Sequence, residues 1–340
     1  MRVAVIGAGS WGTALAVHLA GLGHRVRLWA REPEVVEEVR NEGFNSAFLP
    51  EIPIPEGVKV TGRLDEALEE AEILLSVVPS QFVRSIARRM RPHLPAGTLI
   101  VSATKGIEND TLARMDAVFR EELGEEAASR FSALTGPSFA KEVARRHPTV
   151  VVAAAENPDD AAQAQSALAS EYFRVYTIDD VTGALVCGAV KNVIALASGT
   201  VSGLGFGDNT RAALITRGLA ETARLVKAVG GRRRTVAGLA GIGDMVLTCT
   251  STTSRNFSVG QRLGRGESLE QITFSMQMIA EGVETTRAVA ALAKQEGVEM
   301  PISEAMYGIL YEGLRPRDAV RRLMTRELKS EWEPEPGGQQ

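Results

Sequence analysis

A glycine loop directly after the first predicted strand constrains the fold of this chain more than any other feature. Gly7, Gly9 and Gly12 form a G-x-G-x-x-G pattern. A helix is predicted over 13–22 and a second strand over 26–29, so that strand, helix and strand follow within about 30 residues, as in the βαβ unit of a parallel sheet. In that position the pattern predicts a dinucleotide-binding loop, because backbone N–H groups at a helix start bind a pyrophosphate. The alternative is that the glycines serve turn geometry alone.

The pattern of apolar residues changes once along the chain and predicts two domains. Six more strands, mostly separated by helical patterns, are predicted over 58–60, 73–78, 99–102, 131–134, 150–154 and 173–177. From residue 181 onward the pattern predicts helix after helix. We therefore predict the α/β class, with a Rossmann-like doubly wound sheet in residues 1–180, an all-α domain in 181–330 and a disordered tail in 331–340.

Length and composition restrict the function classes open to the chain. Its 340 residues suffice for about two domains, and its formal net charge of −4, without a basic tail, disfavours nucleic acid as a partner. Cys187 and Cys249 are too few for a disulfide framework or a thiolate zinc site, and the four histidines show no metal-ligand spacing. We expect a cytoplasmic protein with no bound metal. The longest stretch without Asp, Glu, Lys, Arg or His, 192–207, has 16 residues, four of them glycine, so no membrane span is predicted there.

One lysine lies where charge is otherwise absent. Lys191 is the only charged residue between Val181 and Gly207, and four glycines on the same predicted helix indicate close backbone packing. Burial of an ammonium is unfavourable and lowers its pKa, which suits a lysine that takes up and returns a proton. The alternative is a lysine at a helix edge whose ammonium reaches solvent.

A hydroxyl-rich segment precedes another predicted helix. Six of the seven residues from 248 to 254 carry a hydroxyl group, in a stretch predicted to be a loop after Asp244, and Arg255 and Asn256 then begin the helix. Neutral donors, one arginine and a helix N-terminus together predict a site for a phosphate dianion. The alternative is a Ser/Thr linker in which Asn256 simply caps the helix.

Two further loops follow predicted strands of the first domain. Lys105 lies just after strand 99–102, and Gly136 and Ser138 lie just after strand 131–134. Ligands of open α/β sheets bind at the carboxyl ends of the strands, so both loops are candidate ligand contacts. An ordinary turn is the alternative for each loop.

The end of the second predicted strand bears on the choice of cofactor. NAD enzymes usually place an acidic residue there to bind the ribose 2′-hydroxyl, whereas here Arg31 occupies the position and Glu32 follows it. An arginine can pair with a 2′-phosphate, so NADP is the predicted cofactor, with NAD also accepted. A surface arginine without a ligand is the alternative.

Seven ordered motifs resemble those of the bacterial NAD(P)-dependent sn-glycerol-3-phosphate dehydrogenases. They are GAGSWGTALA from residue 7, ATKGIE from 103, GPSFAKEV from 136, GAVKNV from 188, GDNTRAALITRG from 207, GLAGIGDMVLTCTSTTSRN from 238 and IAEGVET from 279. The resemblance implies a Rossmann domain followed by a helical domain of the 6-phosphogluconate dehydrogenase C-terminal type. It also implies interconversion of glycerol 3-phosphate and dihydroxyacetone phosphate, with glycerol 3-phosphate supplied for phospholipid synthesis.

The resemblance further implies roles for individual residues. Lys191 would be the general acid/base at the C2 oxygen, with Lys105 and Asp244 as further catalytic residues. Substrate contacts are implied for Lys105, Gly136, Ser138, Lys191, Asp244, Ser254, Arg255 and Asn256. Dinucleotide contacts are implied for the three loop glycines and for Ser10, Trp11, Arg31, Lys105, Ala140, Arg255, Ile279 and Glu281.

Two other function classes stay open. One is a related hydroxyacid or phosphosugar dehydrogenase on the same fold. The other is a non-catalytic dinucleotide sensor, which would need the glycine loop but neither Lys191 nor segment 248–256. In every case the partner is a small molecule, and the helical domain could form a homodimer.

Overall fold

The first part of the chain folds into one eight-stranded sheet with helices packed on both faces. The structure, a computed structural model, describes residues 1–276 and 280–331. The elements of the first part are β1 (Arg2–Ile6), α1 (Ser10–Gly21), β2 (Arg25–Trp29), α2 (Pro33–Glu42), β3 (Val58–Thr61), α3 (Leu64–Leu68), β4 (Ile73–Ser76), α4 (Ser80–Met90), a 3-10 turn (Arg91–His93), β5 (Leu99–Ser102), α5 (Met115–Leu123), α6 (Glu125–Ala128), β6 (Phe131–Thr135), α7 (Ala140–Ala144), β7 (Thr149–Ala154), α8 (Pro158–Leu168) and β8 (Phe173–Ile178).

The strands lie in the order β3-β2-β1-β4-β5-β6-β7-β8. Strand β1 pairs in parallel with β2 and β4, and its last residue, Ile6, lies opposite Trp29 and Ser76. Its residues Val3–Ile6 are all buried, because helices cover both faces of the sheet. The predicted doubly wound sheet is confirmed. One difference is the pair β6–β7, which is antiparallel while the other pairs are parallel.

In the second part, all the secondary-structure elements of the described residues are helices. Its elements are α9 (Val181–Gly203), α10 (Asp208–Ala228), α11 (Arg233–Val236), a π-helical turn (Leu239–Gly243), α12 (Asp244–Thr250), α13 (Arg255–Gly264), α14 (Leu269–Ser275), α15 (Glu281–Gln295), α16 (Pro301–Tyr311) and α17 (Pro316–Met324). The strands thus end at Ile178 and the helices of this part begin at Val181. The division into domains at residues 180 and 330 stays a prediction.

Helix α9 is the central helix of the second part, and α10, α12, α13 and α15 pack against it. Twenty of its 23 residues are buried. Glycines allow the backbone of α13 to approach closely: a Cβ atom on Gly199 would lie 2.0 Å from the carbonyl oxygen of Phe257, and one on Gly260 would lie 2.0 Å from that of Leu196. The close packing predicted from the glycines of α9 is therefore present.

Helix α9 is also long and apolar enough to cross a membrane, and it is the one such helix in residues 1–276 and 280–331. The run 192–207, for which no membrane span was predicted, has 16 residues, whereas this helix has 23 because it includes Lys191 and the residues before it. Of its most apolar window, 94% is buried inside the protein. Its composition is therefore explained by its place in the core.

The expectation that 248–254 is a loop is wrong for its first half. Helix α12 extends to Thr250, and the hydroxyls of Thr248 and Thr250 donate to the carbonyls of Asp244 and Val246 at 2.6 and 2.8 Å. Hydroxyl side chains that bond back to the preceding turn are compatible with a helix. Two other predictions concern residues outside the described ranges, namely the cofactor contact of Ile279 and the tail beyond residue 331.

Candidate active site

The loop between β1 and α1 has a geometry that requires glycine. Gly7 has a φ of +113°, and a Cβ atom on Gly12 would lie 1.8 Å from the Gly7 carbonyl oxygen. A Cβ atom on Gly9 would meet no described atom within 4 Å, so a ligand can approach the backbone there. No described side chain caps the start of α1. The N–H groups of its first turn can therefore bind a pyrophosphate, and the loop fits a dinucleotide.

Side chains of other residues predicted to contact the dinucleotide are engaged within the protein. The Ser10 hydroxyl donates to the carbonyl oxygen of Phe48 at 2.5 Å. Trp11 and Ala140 pack against the same small apolar cluster, which contains Leu49. The Trp11 indole N–H has no partner among the described residues. The contacts of Ser10 and Trp11 with the dinucleotide stay predictions.

Arg31, two residues after β2, pairs with its neighbour. Its Nε and Nη2 atoms donate to Oε1 of Glu32 at 3.0 and 2.7 Å, and 67% of its side chain is exposed. A 2′-phosphate would have to replace the Glu32 carboxylate as the partner of the guanidinium. The two residues on which the cofactor prediction rests thus interact with each other directly.

Two lysines from different parts of the chain meet at one buried carboxylate. Lys191 on α9 places its Nζ atom 2.7 Å from Oδ1 of Asp244, and Lys105 in the loop after β5 places its Nζ atom 2.8 Å from Oδ2. The carboxylate belongs to the first residue of α12 and is 1% exposed. Because the Lys191 side chain is only 7% exposed, the alternative of a lysine reaching solvent at a helix edge is excluded.

Each amine has one further hydrogen bond. Lys191 donates to the Thr248 hydroxyl oxygen at 3.1 Å, and that hydroxyl donates its own proton to the Asp244 carbonyl at 2.6 Å. Lys105 donates to the Gly136 carbonyl oxygen at 3.2 Å. An ammonium carries three protons, so contacts within the described residues leave one position on each amine for a substrate oxygen. The sequence analysis missed Thr248 as an individual residue, although its spacing of four from Asp244 fits one face of a helix.

The surroundings of Lys191 and Asp244 shift the pKa values of both groups. Burial lowers the pKa of Lys191 to about 8, and repulsion from Lys105 acts in the same direction while Asp244 opposes it. Burial by itself would raise the pKa of Asp244, but the two ammonium groups outweigh it and lower that pKa below its usual value. The carboxylate therefore stays ionised, whereas the Lys191 amine can gain and lose a proton near neutral pH.

The loop after β6 presents a carbonyl group to the site. Gly136 has a φ of +126°, and a Cβ atom there would lie 3.0 Å from the Cα atom of Val151. Its carbonyl oxygen accepts from both Lys105 and the Ser138 hydroxyl, the latter at 3.0 Å. The predicted site residues Gly136 and Ser138 are thus brought together with Lys105.

A chain of two amides connects the elements around the site. Asn192, next to Lys191, donates to the Lys105 carbonyl at 3.2 Å and accepts from Nδ2 of Asn256 at 2.9 Å. Oδ1 of Asn256 accepts from the Gly282 N–H at 2.9 Å. Both polar atoms of the Asn256 side chain therefore form hydrogen bonds within the protein. A contact of Asn256 with the substrate stays a prediction. The sequence analysis missed Asn192, for which adjacency to Lys191 was the available signal.

The start of α13 combines a cap, a cation and a helix N-terminus. Ser254 accepts from the Phe257 N–H at 3.2 Å, and Arg255 is the first residue of the helix. Glu281, the first residue of α15, lies near enough to Arg255 for this cation to lower its pKa, although burial dominates and leaves that pKa raised. The N-terminus of α13 and Arg255 together can hold a phosphate dianion.

A glycine loop on a parallel sheet, together with two amines on one buried carboxylate, defines a dinucleotide-dependent oxidoreductase. Two family models cover most of the chain: NAD-dependent glycerol-3-phosphate dehydrogenase N-terminus matches residues 2–161, and NAD-dependent glycerol-3-phosphate dehydrogenase C-terminus matches 180–321. The chain belongs to the NAD-dependent glycerol-3-phosphate dehydrogenase family. The resemblance inferred from the seven motifs and the predicted fold class are confirmed.

Individual relatives are similar along almost their full length. The chain is 53% identical over 330 residues to the glycerol-3-phosphate dehydrogenase (NAD(P)+) of Geobacter sp. (strain M21), covering 97% of this chain and 98% of that one. It is 50% identical over 331 residues to the enzyme of the same name from Nitratidesulfovibrio vulgaris (strain DP4), covering 97% and 100%. A crystal structure of glycerol-3-phosphate dehydrogenase from Coxiella burnetii matches with a TM-score of 0.91 at 42% identity, covering 96% and 99%.

Proposed function

We propose that this chain interconverts sn-glycerol 3-phosphate and dihydroxyacetone phosphate, and that Lys191 moves the proton of the C2 oxygen. The observation that carries the proposal is the contact of Lys191 and Lys105 with opposite oxygens of Asp244, at 2.7 and 2.8 Å. Family membership supports the substrate. The physiological direction that we propose is reduction in the cytoplasm, which supplies glycerol 3-phosphate for phospholipid synthesis.

Lys191 is suited to proton transfer by its two fixed acceptors. In the neutral amine, both N–H groups can be donated to Asp244 and Thr248, which directs the lone pair to the remaining position. There the amine accepts the C2 hydroxyl proton during oxidation. During reduction the ammonium donates that proton back to the C2 oxygen. The loop Gly7–Gly12 would hold the dinucleotide, which would supply the hydride in reduction and take it up in oxidation.

Lys105 and Asp244 support this transfer by charge. Lys105 keeps one N–H for the same substrate oxygen and stabilises the negative charge that develops there. Asp244 accepts from both lysines, so it fixes the orientation of each amine rather than contacting a substrate hydroxyl. The resemblance implies both a catalytic role and a substrate contact for Asp244, and the two short contacts with the lysines favour a catalytic role in orienting the amines.

Arg255 and the start of α13 are proposed to hold the phosphate group and thereby to fix which carbon faces the nicotinamide. Arg31 is proposed to favour NADP when it releases Glu32 and pairs with a 2′-phosphate. The homodimer also stays a prediction, for which the sedimentation coefficient of the purified chain is the test.

The test of this function compares substrates and cofactors on the purified chain. With dihydroxyacetone phosphate as substrate, we expect the absorbance of the reduced nicotinamide to fall. With dihydroxyacetone, which has no phosphate group, kcat/KM should be lower by roughly 10⁴-fold, because the phosphate site then lacks its partner. Arg255→Ala should raise the KM for dihydroxyacetone phosphate. It should therefore reduce the difference in kcat/KM between dihydroxyacetone phosphate and dihydroxyacetone. The ratio of kcat/KM for NADPH and NADH measures the cofactor preference in the same assay.

Three results would contradict the proposal. Preferred turnover of a carboxylated ketone would indicate a hydroxyacid dehydrogenase. Cofactor binding without turnover on any substrate would indicate a sensor. An unchanged KM in Arg255→Ala would remove the phosphate assignment while leaving the roles of the lysines intact.

A further inference from the structure

The position of Lys105 depends on a loop that contains no helix and no strand. Residues 103–114 connect β5 to α5, and Lys105 is the third of them. Its Nζ atom must nevertheless lie within hydrogen-bonding distance of Asp244, on a different part of the chain. Loops are held in place by the side chains around them, so the restraints on this loop decide where the amine lies.

Helix α4 holds the loop from one side. Gln81 donates from Nε2 to the Ile107 carbonyl at 2.8 Å and accepts at Oε1 from the Asn109 N–H at 3.0 Å. One turn later, Arg84 donates to the Glu108 carboxylate through Nε and Nη2, each at 2.8 Å. Three consecutive loop residues, two to four positions after Lys105, are therefore hydrogen-bonded to side chains of this helix.

Asn109 also reaches the helical part of the chain. Its Nδ2 atom donates to Oε2 of Glu284 on α15 at 2.9 Å. Glu284 lies one turn after Glu281, which borders the active site. Asn109 thus connects the loop of Lys105 both to α4 and to the helix that begins at Glu281.

We propose that Asn109 is a positioning residue for the reaction: the bridge from Gln81 through Asn109 to Glu284 holds the loop so that Lys105 stays at Asp244. The proposal rests on the function proposed above for Lys105. A displacement of about 1 Å at a reacting group can lower a rate by about 10²-fold, so partial release of the loop affects kcat. The cofactor loop at Gly7–Gly12 is separate and keeps its affinity.

Exchanging the two partners of the Asn109–Glu284 bond provides a matched set of variants. Asn109→Asp places two carboxylates face to face and breaks the bond. Glu284→Gln keeps an acceptor oxygen for Nδ2 and serves as the control. The double variant Asn109→Asp/Glu284→Gln restores a bond of the same length, with the glutamine as donor and the aspartate as acceptor.

We expect kcat with dihydroxyacetone phosphate to fall about tenfold in Asn109→Asp, to stay within about twofold in Glu284→Gln and to recover to within about threefold in the double variant, the pattern of two directly coupled residues. The KM for the cofactor should stay within about twofold of wild type in all three, because the glycine loop that binds the pyrophosphate lies outside this bridge. Wild-type kcat in Asn109→Asp, or no recovery of kcat in the double variant when its Tm does recover, would overturn the proposal.

Lys105→Ala separates this proposal from the function on which it rests. If Lys105→Ala loses most of its kcat while Asn109→Asp loses none, the positioning role fails and the proposed function stands. If Lys105→Ala keeps wild-type kcat, the role of Lys105 fails and the positioning proposal fails with it.

Discussion

The two lysines of the site reach the same carboxylate from opposite structural settings. Lys191 lies in the middle of a 23-residue helix of which 20 residues are buried, whereas Lys105 lies in a loop of irregular backbone. Their side chains are 7% and 15% exposed. The helix is held by backbone packing against α13, and the loop is held by side-chain hydrogen bonds from α4, α9 and α15.

This difference in setting suits the two different roles proposed for the amines. Proton transfer needs a group whose pKa lies near the working pH, and burial in the rigid helix lowers that of Lys191 to about 8. Charge stabilisation needs only a donor placed near the substrate oxygen, which a loop can supply when it is held by its neighbours. We therefore expect the two lysines to respond differently to the same substitution.

The largest predicted effect is on turnover. Lys191→Ala should lower kcat by about 10⁴-fold and Lys105→Ala by about 10²-fold, because the first loses the proton carrier and the second loses one stabilising donor. Steady-state kinetics with dihydroxyacetone phosphate measure both. For Lys191→Ala the dissociation constant of the cofactor, measured by calorimetry, is the control and should stay near the wild-type value. A greater loss of kcat in Lys105→Ala than in Lys191→Ala would contradict the roles proposed for the two lysines.

The second prediction concerns how the helix of Lys191 is held. Gly199→Ala would place a Cβ atom 2.0 Å from the Phe257 carbonyl oxygen, so α9 and α13 must separate. Such overpacking lowers the free energy of unfolding by about 1–3 kcal/mol. Gly62→Ala is the matched control, because the nearest atom to a Cβ there is 3.9 Å away, and it should change stability by less than about 0.5 kcal/mol. Urea unfolding measures both, and equal losses would argue against backbone packing as the anchor.

Sequence patterns singled out residues of the candidate site, but not the contacts between them. The glycine loop is a local signal, and Lys191 stood out because its surroundings are uncharged. The partners of Asp244 could not be predicted, since Lys191 and Lys105 lie 53 and 139 positions away along the chain. Only the packing of α9 and the β5 loop around α12 brings the three together. For the same reason the connecting roles of Asn192 and Asn256 were missed.

Two structural errors have a common physical origin. Residues 248–250 were expected to begin the hydroxyl-rich loop, yet they belong to α12, where Thr248 and Thr250 bond back to their own helix. The antiparallel pairing of β6 with β7 was not predicted, since the burial of a strand is the same in either direction. In both cases composition and periodicity are compatible with two backbone arrangements, and tertiary contacts select one.

The smallest predicted effect tests the charge coupling between the two amines. The neutral form of Lys191 accepts the C2 proton, so kcat/KM for glycerol 3-phosphate oxidation should rise with pH through about 8 and then level off. Lys105→Met removes a repelling charge and leaves Asp244, so the pKa of Lys191 and the rising limb should move to higher pH by on the order of one unit. Asp244→Asn removes the attracting charge instead, and the limb should move to lower pH. Profiles of kcat/KM against pH measure both shifts, and shifts of the same sign in the two variants would show that the amines are not coupled through this carboxylate.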